Sequence, residues 1–185
     1  MKNSRQSAAC NGFTLLELMV GITVLGVLLA VGVPSFTSMI RTNRVATQTN
    51  QFIAALNFAR NEAAARGLPV SICASDSAQS SCAAATSDTS WSNGWLIFTD
   101  RSGTAGAVDT GSGDLILIRA EAPTGGMQVN SGTNAFIRFA STGGLTNPAS
   151  TATVFVKHAS CSGTERRQIS VLTTGLIRTT KVTCT

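Results

Sequence analysis

The chain has 185 residues, of which 43% are hydrophobic and only 12% are charged, and its formal net charge is +5. This hydrophobic, weakly charged composition excludes a chain that is disordered through high charge and low hydrophobicity. His158 is the sole histidine, and HExxH, Walker-loop, GxSxG and CxxC motifs are absent. A multi-histidine metal site is therefore excluded, and we expect no enzymatic activity and no cofactor.

The N-terminus combines a short basic leader with a long apolar segment. Residues 1–12 contain Lys2 and Arg5, and residues 13–33 carry a single charge, that of Glu17. As a helix, these 21 residues span about 32 Å, which is enough for a ~30 Å hydrocarbon core. The basic leader predicts a cytoplasmic N-terminus, so we expect a single membrane-spanning helix over residues 13–34.

A secretory signal peptide is the ordinary alternative for such an N-terminus. Signal peptides have an apolar region of ~7–15 residues that is followed by a cleavage site made of small residues. Here the apolar segment is longer, and it continues through Gly32-Val33-Pro34 into a helical pattern without such a site. The sequence therefore favours a retained membrane anchor.

Glu17 lies inside the apolar segment, where a carboxylate costs ~2.5–3.5 kcal/mol on insertion scales. In one interpretation it lies a single turn from the helix start and extends its carboxylate to the membrane interface. In the other, the mature chain begins at Phe13, and the new α-ammonium group of one subunit neutralises Glu17 of its neighbour.

The segment Asn11-Gly-Phe-Thr-Leu-Leu-Glu-Leu18 resembles the prepilin processing site of type IV pilins and type II secretion pseudopilins. This resemblance implies that a prepilin peptidase cleaves between Gly12 and Phe13 and that Phe13 is then N-methylated. It also implies that Glu17 guides packing into a helical filament. Pro34 is similar to the helix-kinking proline of many such proteins, and any proline removes one intrahelical hydrogen bond.

An amphipathic helix is predicted to continue through residues 35–67, and Gly67 and Pro69 end it. Its apolar residues largely follow spacings of three and four, which is the period of one helix face. The first half of such a helix needs lipid or identical neighbours, which points to a filament subunit. The expected apolar positions are Phe36, Met39, Ile40, Val45, Phe52, Ile53, Leu56, Phe58 and Ala63.

Residues 68–185 are predicted to form a β-rich head. Short segments rich in Val, Ile, Phe or Thr alternate with turn-forming clusters such as Ser141-Thr-Gly-Gly and Asn147-Pro148. We expect Trp91 and Trp95 in or beside the core rather than in a site that stacks a ligand. The expected strands are residues 69–74, 94–99, 114–121, 126–129, 135–139, 151–157, 168–172 and 176–182.

Three stretches of the head indicate a more specific resemblance within the pilins and pseudopilins. They are Trp91-Ser-Asn-Gly-Trp-Leu-Ile-Phe-Thr-Asp100, then Asp114-Leu-Ile-Leu-Ile-Arg119 after a Gly/Asp loop, and Ile169-Ser-Val-Leu-Thr-Thr-Gly175 near the C-terminus. Together they resemble the GspH/FimT family of minor pilins and minor pseudopilins. Membership implies an α+β fold, in which a long N-terminal helix, membrane-spanning in its first half, packs on a sandwich-like β head.

The same resemblance implies a function, partners and a location. The function is that of a minor type IV pilin, which initiates or enters the pilus and so supports pilus biogenesis, twitching or DNA uptake. A minor pseudopilin of a type II secretion system is the alternative. The implied partners are other minor and major pilins, the prepilin peptidase, the inner-membrane assembly platform and membrane lipid. The implied location is the inner membrane, with one span and a periplasmic head, and then the fibre.

Three aspartates, Asp100, Asp109 and Asp114, fall in one glycine-rich loop and have the oxygen ligands that a calcium ion prefers. Their spacing is not that of an EF-hand. We therefore favour a solvated hairpin loop and expect no metal site.

Cysteine usage predicts an oxidising compartment. Cys10 lies in the leader and would be lost with it, which leaves Cys73, Cys82, Cys161 and Cys184. An even number in an exported head predicts two disulfides, for which three connectivities exist. We favour Cys73–Cys82, which closes a polar loop, and Cys161–Cys184, which ties the last strand to an earlier turn; free buried thiols are the alternative.

The charge is unevenly divided along the head. Residues 73–122 carry six acids and two bases, whereas residues 123–185 carry six bases and one acid. A basic C-terminal third is suited to nucleic acid, to anionic lipid or to the acidic region of a neighbouring subunit, and composition does not choose among them.

DNA binding is the alternative function of a different class. Some members of the family bind DNA through a Gly-Arg-x-Arg motif near the C-terminus. Here the corresponding Gly175-Leu176-Ile177-Arg178 lacks the first arginine. We therefore expect assembly rather than DNA binding to be the main role. The residues that would contact DNA phosphates are Arg166, Arg167, Arg178 and Lys181.

Overall fold

The computed structural model describes residues 13–83, 90–103, 107–131 and 136–184. The chain divides into two compact units, Met1–Ile40 and Arg41–Thr185. One helix, α1 (Leu15–Arg66), contributes residues to both units. The processing-site residue Gly12 lies outside the described residues.

Both ends of α1 are capped in ways that the sequence explains. At the N-terminus, the Thr14 hydroxyl accepts a hydrogen bond from the backbone N–H of Glu17 at 3.2 Å, which satisfies one of the free donors of the first turn. At the C-terminus, Gly67 has φ +64°, and the N–H of Leu68 donates to the carbonyl of Ala63 at 3.3 Å. This left-handed glycine ends the helix where the sequence predicts that it should.

The part of α1 in the first unit exposes its apolar side chains. By length and composition, the apolar part of this helix is able to cross a membrane. Phe36, Met39 and Ile40, which follow the apolar spacing of the expected amphipathic helix, are 65%, 61% and 38% exposed. The buried face of α1 begins only in the second unit, at Val45.

In the second unit, α1 buries one stripe of side chains, at Val45, Phe52, Leu56, Ala59 and Ala63. The spacings of seven, four, three and four residues keep the stripe on one face of the helix. The stripe packs with residues from both sheets in a single core cluster.

Among the described residues, nine strands form two antiparallel sheets. The strands are β1 (Val70–Ala74), β2 (Trp95–Thr99), β3 (Ile116–Ala120), β4 (Met127–Asn130), β5 (Phe136–Phe139), β6 (Leu145–Asn147), β7 (Ala152–His158), β8 (Arg166–Val171) and β9 (Ile177–Val182). The five-stranded sheet has the order β3-β2-β1-β5-β6, and the four-stranded sheet has the order β4-β7-β8-β9. The expected fold class, a long N-terminal helix followed by a β-rich head, is confirmed.

The core is organised around Phe52 of α1. Its ring meets those of Trp91 and Trp95 edge-on, with centroids 5.4 and 5.0 Å apart, a geometry worth about 0.5–1.5 kcal/mol per pair beyond burial. Trp91 lies in a short 3-10 helix, Ser90–Asn93, and its indole N–H donates to the hydroxyl of Ser131. Both tryptophans are buried, so their expected place in the core is confirmed.

One strand was not expected and two strands begin two residues away from the expected position, whereas the other strand boundaries agree within one residue. β6 was not expected, because it has three residues, only Leu145 among them is apolar, and Asn147-Pro148 has the sequence of a turn. β8 begins at Arg166 rather than at residue 168, since paired arginines do not suggest a strand. β3 begins at Ile116 rather than at residue 114, because the side chain of Asp114 binds the preceding loop instead.

Two disulfides are present in the head: one links β1 to the loop that follows it, and the other links the turn between β7 and β8 to the chain just beyond β9. Cys73 in β1 is bonded to Cys82, and Cys161 is bonded to Cys184, with Cα atoms 5.7 and 5.8 Å apart. The N–H of Cys184 also donates to the carbonyl of Gly163 at 2.9 Å, so the chain beyond β9 is held at two points.

Non-reducing peptide mapping of the exported protein is expected to find Cys73 joined to Cys82 and Cys161 joined to Cys184. The second bridge has a sequence separation of 23 residues, so removing it by Cys161→Ala with Cys184→Ala should cost about 3 kcal/mol in the chain-entropy model. Denaturant unfolding measures that loss. A map that joins Cys73 to Cys184 would contradict this connectivity.

Candidate functional site

The first site is the start of α1, where Phe13 and Glu17 lie. Phe13 is 76% exposed, and Glu17, in the first helical turn, is also exposed. A carboxylate in the first turn is favoured by the partial positive charge of the helix N-terminus. The site can therefore present a negative group at the head of an otherwise apolar surface, where a cation from another molecule is able to reach it.

The surface behind Glu17 is apolar on every side of the helix. Large apolar residues from Leu18 to Val33 have more than half of their surface exposed. A helix that is hydrophobic all round is buried in a membrane or in a larger assembly. α1 continues through Pro34, which has no N–H to donate to the carbonyl four residues before it.

The basic residues of the last two strands do not form one cluster. Arg167 is the direct cross-strand partner of Lys181, and both lie on the same sheet face as Ile169, which is two residues from Arg167 and is buried in the core. Arg166 and Arg178 therefore lie on the opposite, outer face of the sheet. Of the four residues expected to contact DNA, two lie on each face of the four-stranded sheet.

The outer face of the four-stranded sheet carries Arg166, Arg178 and a third cation, Lys157 of β7. The guanidinium of Arg166 lies 3.7 Å from the ring centroid of Phe155, a cation–π contact. Arg166 pairs with Val182 and Arg178 with Ser170, so the two arginines are displaced by about 13 Å along the strands. The cations on this face are thus spread out rather than convergent.

Gly175, which matches the glycine of the DNA-binding motif, has a structural reason to be glycine. Its φ is +77°, and a Cβ atom there would lie 2.1 Å from the carbonyl oxygen of Gly143. The side chain of Arg60 in α1 holds both loops, with Nε donating to Gly143 O at 3.0 Å and Nη2 to Thr174 O at 3.3 Å. Sequence reasoning missed Arg60, since its partners lie 83 and 114 positions away.

The aspartate loop is held by hydrogen bonds within the protein. Asp100 is fully buried, and it accepts hydrogen bonds from Ser71 Oγ at 2.6 Å and from Gly103 N at 3.0 Å. Arg138 forms an ion pair with Asp100 at 3.2 Å and also donates to its backbone carbonyl at 2.9 Å. Asp100 therefore joins β1, β2 and β5 at one end of the five-stranded sheet.

Asp114 and Asp109 complete the same loop. Asp114 is buried and accepts hydrogen bonds from the N–H groups of Arg101 at 2.7 Å and Asp109 at 3.0 Å. Asp109 caps the 3-10 helix Thr110–Ser112, and the hydrogen bond from the Ser112 hydroxyl lowers the pKa of its carboxyl. Within the described residues, no group of three or more His, Cys, Asp or Glu side chains could hold a metal ion.

The expectation of a solvated aspartate loop was therefore wrong for Asp100 and Asp114. Both carboxylates are buried, and they replace the backbone hydrogen bonds that the strands lack where they end. Asp109 is half-buried, so it is less enclosed than the other two.

A groove of about 660 Å³ lies between α1 and the free edge of β3, and we name it the α1–β3 groove. Its helical wall includes Gln48, Gln51 and Ala54, its floor is formed by Trp95, Ile118 and Ala120, and residues 121–124 close the opposite side. Among the described residues that line it, Glu121 alone is charged. The groove offers apolar surface, two amide side chains and one carboxylate.

Comparison with known families gives two matches that together cover most of the chain. Residues 48–175 match the family described as "Type II transport protein GspH". Residues 7–33 match the prokaryotic N-terminal methylation motif. The sequence matches no curated protein.

Two crystal structures of the type IV minor pilin FimU from Pseudomonas aeruginosa have a similar fold. In one form the identity is 19%, the TM-score is 0.53, and the match covers 77% of this chain and 90% of FimU. In the other form the identity is 18% with the same TM-score of 0.53, and the match covers 73% of this chain and 91% of FimU. At this identity the likeness concerns the fold.

Asp100→Ala is expected to lower the free energy of unfolding by about 2–4 kcal/mol, because it leaves Arg138 and Ser71 without their buried partner. The matched control, Asp109→Ala, removes a half-buried carboxylate of the same loop that has no ion-pair partner among the described residues, and it should have a much smaller effect. Thermal unfolding with and without millimolar calcium checks both variants. A rise in the melting temperature of the unmodified protein with calcium would contradict the view that this loop is held by protein groups alone.

Proposed function

The chain belongs to the GspH family, described as type II transport proteins, and on that premise we propose that it is a minor type IV pilin that enters or initiates the pilus. It acts by assembly rather than by catalysis. The family and the fold are those of structural pilins.

The proposal rests on one observation: the N-terminal methylation motif overlaps the part of α1 whose apolar side chains are exposed. The N-terminal methylation motif covers residues 7–33, and in the part of that stretch that belongs to α1, residues 15–33, the large apolar side chains are exposed. In water such an apolar surface would be unfavourable, whereas a fibre subunit buries it in two successive environments. It lies in lipid before assembly, and it packs against the helices of neighbouring subunits afterwards.

Processing prepares the site that assembly then uses. A prepilin peptidase cleaves between Gly12 and Phe13, and the new N-terminus is methylated at Phe13. The resulting ammonium group is a cation at the start of one subunit, and Glu17 is an exposed anion one turn into the next. Because an unpaired carboxylate among packed apolar helices is costly, the pairing selects one axial register between neighbours.

The proposed location follows from the charge of the leader and from the cysteines. Lys2 and Arg5 keep the N-terminus in the cytoplasm, so that the chain spans the inner membrane once and the head lies in the periplasm. Disulfides persist in that compartment. The partners proposed here are other minor and major pilins, the prepilin peptidase, the inner-membrane assembly platform and membrane lipid.

A minor pseudopilin of a type II secretion system is the second candidate. The description of the matched family as a type II transport protein favours it. The same processing, anchoring and helix packing would serve a short periplasmic pseudopilus, so the two roles differ in the filament that the subunit enters.

Two substitutions separate processing from assembly. Gly12→Val should leave a membrane-bound precursor, because the larger side chain blocks the peptidase. Glu17→Ala should be processed in substantial part but should enter fibres poorly, since it lacks the carboxylate that pairs with a neighbour. Glu62→Ala, which removes a carboxylate near the other end of α1, is the control and should enter fibres normally. Immunoblots of membranes and sheared fibres measure each outcome; wild-type levels of Glu17→Ala in fibres would contradict the proposed pairing.

Deletion of the gene distinguishes the two candidate filaments. For a minor pilin, surface pili and twitching should fall while the secretion of type II substrates stays normal, and the wild-type gene should restore both. Electron microscopy of cells and assays of secreted proteins provide the two readouts. Normal piliation together with lost secretion would favour the pseudopilin role instead.

A further inference from the structure

Each sheet of the head ends in two edge strands, β3 and β6 in the five-stranded sheet and β4 and β9 in the four-stranded sheet. Of these, β3 is one edge of the five-stranded sheet and β9 is one edge of the four-stranded sheet, so each is paired on one side only among the described strands. They have five and six residues. The open edge of such a strand presents backbone N–H and C=O groups that are ready to pair with another chain.

The open edge of β3 borders the α1–β3 groove. Ile118 and Ala120 are the cross-strand partners of Ile97 and Trp95, which lie in the core that α1 covers, and both line the groove. Cross-strand partners share a sheet face, so a strand added beside β3 would place every second side chain in this groove. The amides of Gln48 and Gln51 on α1 are able to donate to, and accept from, the added strand.

The β9 strand has the side chains that suit this groove. Its residues from Arg178 to Lys181 are exposed, and β9 contains two cations and no acid. On its outer face it carries Arg178 and the small Thr180. If it runs antiparallel to β3, these two residues lie opposite Ala120 and Ile118, and Arg178 comes beside Glu121, the charged residue of the groove.

Two features of the head support an approach from this direction. The outer face of β9 looks away from the core, so the core-covering helix of the donor head does not lie between the two molecules. The charges are also complementary, since residues 73–122, which include β3, carry six acids and two bases, whereas residues 123–185, which include β9, carry six bases and one acid.

We propose that β9 of one copy of this chain adds to β3 of a second copy, over the α1–β3 groove. The contact uses two different surfaces of the same molecule, so it is head-to-tail and extends the five-stranded sheet of one head into the four-stranded sheet of the next. This inference goes beyond the proposed function, because it concerns the association of heads and does not depend on which filament the chain enters.

The test measures self-association of the full mature chain in detergent micelles by sedimentation velocity. Ala54→Trp fills the groove from an exposed helix position and should abolish the association of heads. Ala64→Trp is the matched control, because Ala64 is exposed on the same helix but does not line the groove. Thermal unfolding of both variants verifies that they are folded. If Ala54→Trp associates as strongly as the unmodified chain, the proposal is wrong. Association through the membrane helix does not affect this comparison, because that helix is the same in both proteins.

Charge reversal tests the orientation of the added strand. Glu121→Arg and Arg178→Glu should each weaken association about two- to fivefold, the range expected for a surface ion pair, and the double variant should recover it. A capped peptide with the sequence of residues 176–183 should compete with association, and the same peptide carrying Arg178→Glu should compete less well. Failure of the double variant to recover association, or equal competition by the two peptides, would overturn the antiparallel arrangement.

Discussion

The exposed apolar half of α1 is the constraint on which the rest of this molecule depends. Apolar side chains surround the helix from Leu18 to Val33, and the only charge among them or just before them is that of Glu17. Such a surface has to be covered, by lipid or by other helices. In the function proposed above, membrane anchoring and packing into a filament are successive ways to meet this one requirement, and the carboxylate of Glu17 is proposed to set the register of the packing.

The second half of α1 meets a different requirement, since it is the helix on which the head is built. Phe52 packs against both tryptophans, and Arg60 holds the turns around Gly143 and Gly175. At the opposite side of the five-stranded sheet, buried Asp100 ties three strands together. Loops that look irregular in sequence are thus fixed by single long-range contacts.

Local patterns predicted much of this structure. The glycine at 67, the alternation of apolar residues and the turn clusters located α1 and most of the strands, because helix ends and strand periods depend on near neighbours. They did not predict that Asp100 and Asp114 are buried, that Arg60 binds turns far away in sequence, or that Arg166 and Arg167 face opposite sides of a sheet. Those facts depend on strand register and tertiary contacts, which no local pattern specifies.

The most direct test of the central claim is mass spectrometry of fibres sheared from cells that express the unmodified chain. The account predicts that the chain is recovered in the fibres and that its N-terminal peptide begins at N-methylated Phe13. Recovery of peptides from residues 1–12 in the fibre-bound protein, or the absence of the chain from fibres in which other pilins are found, would contradict it.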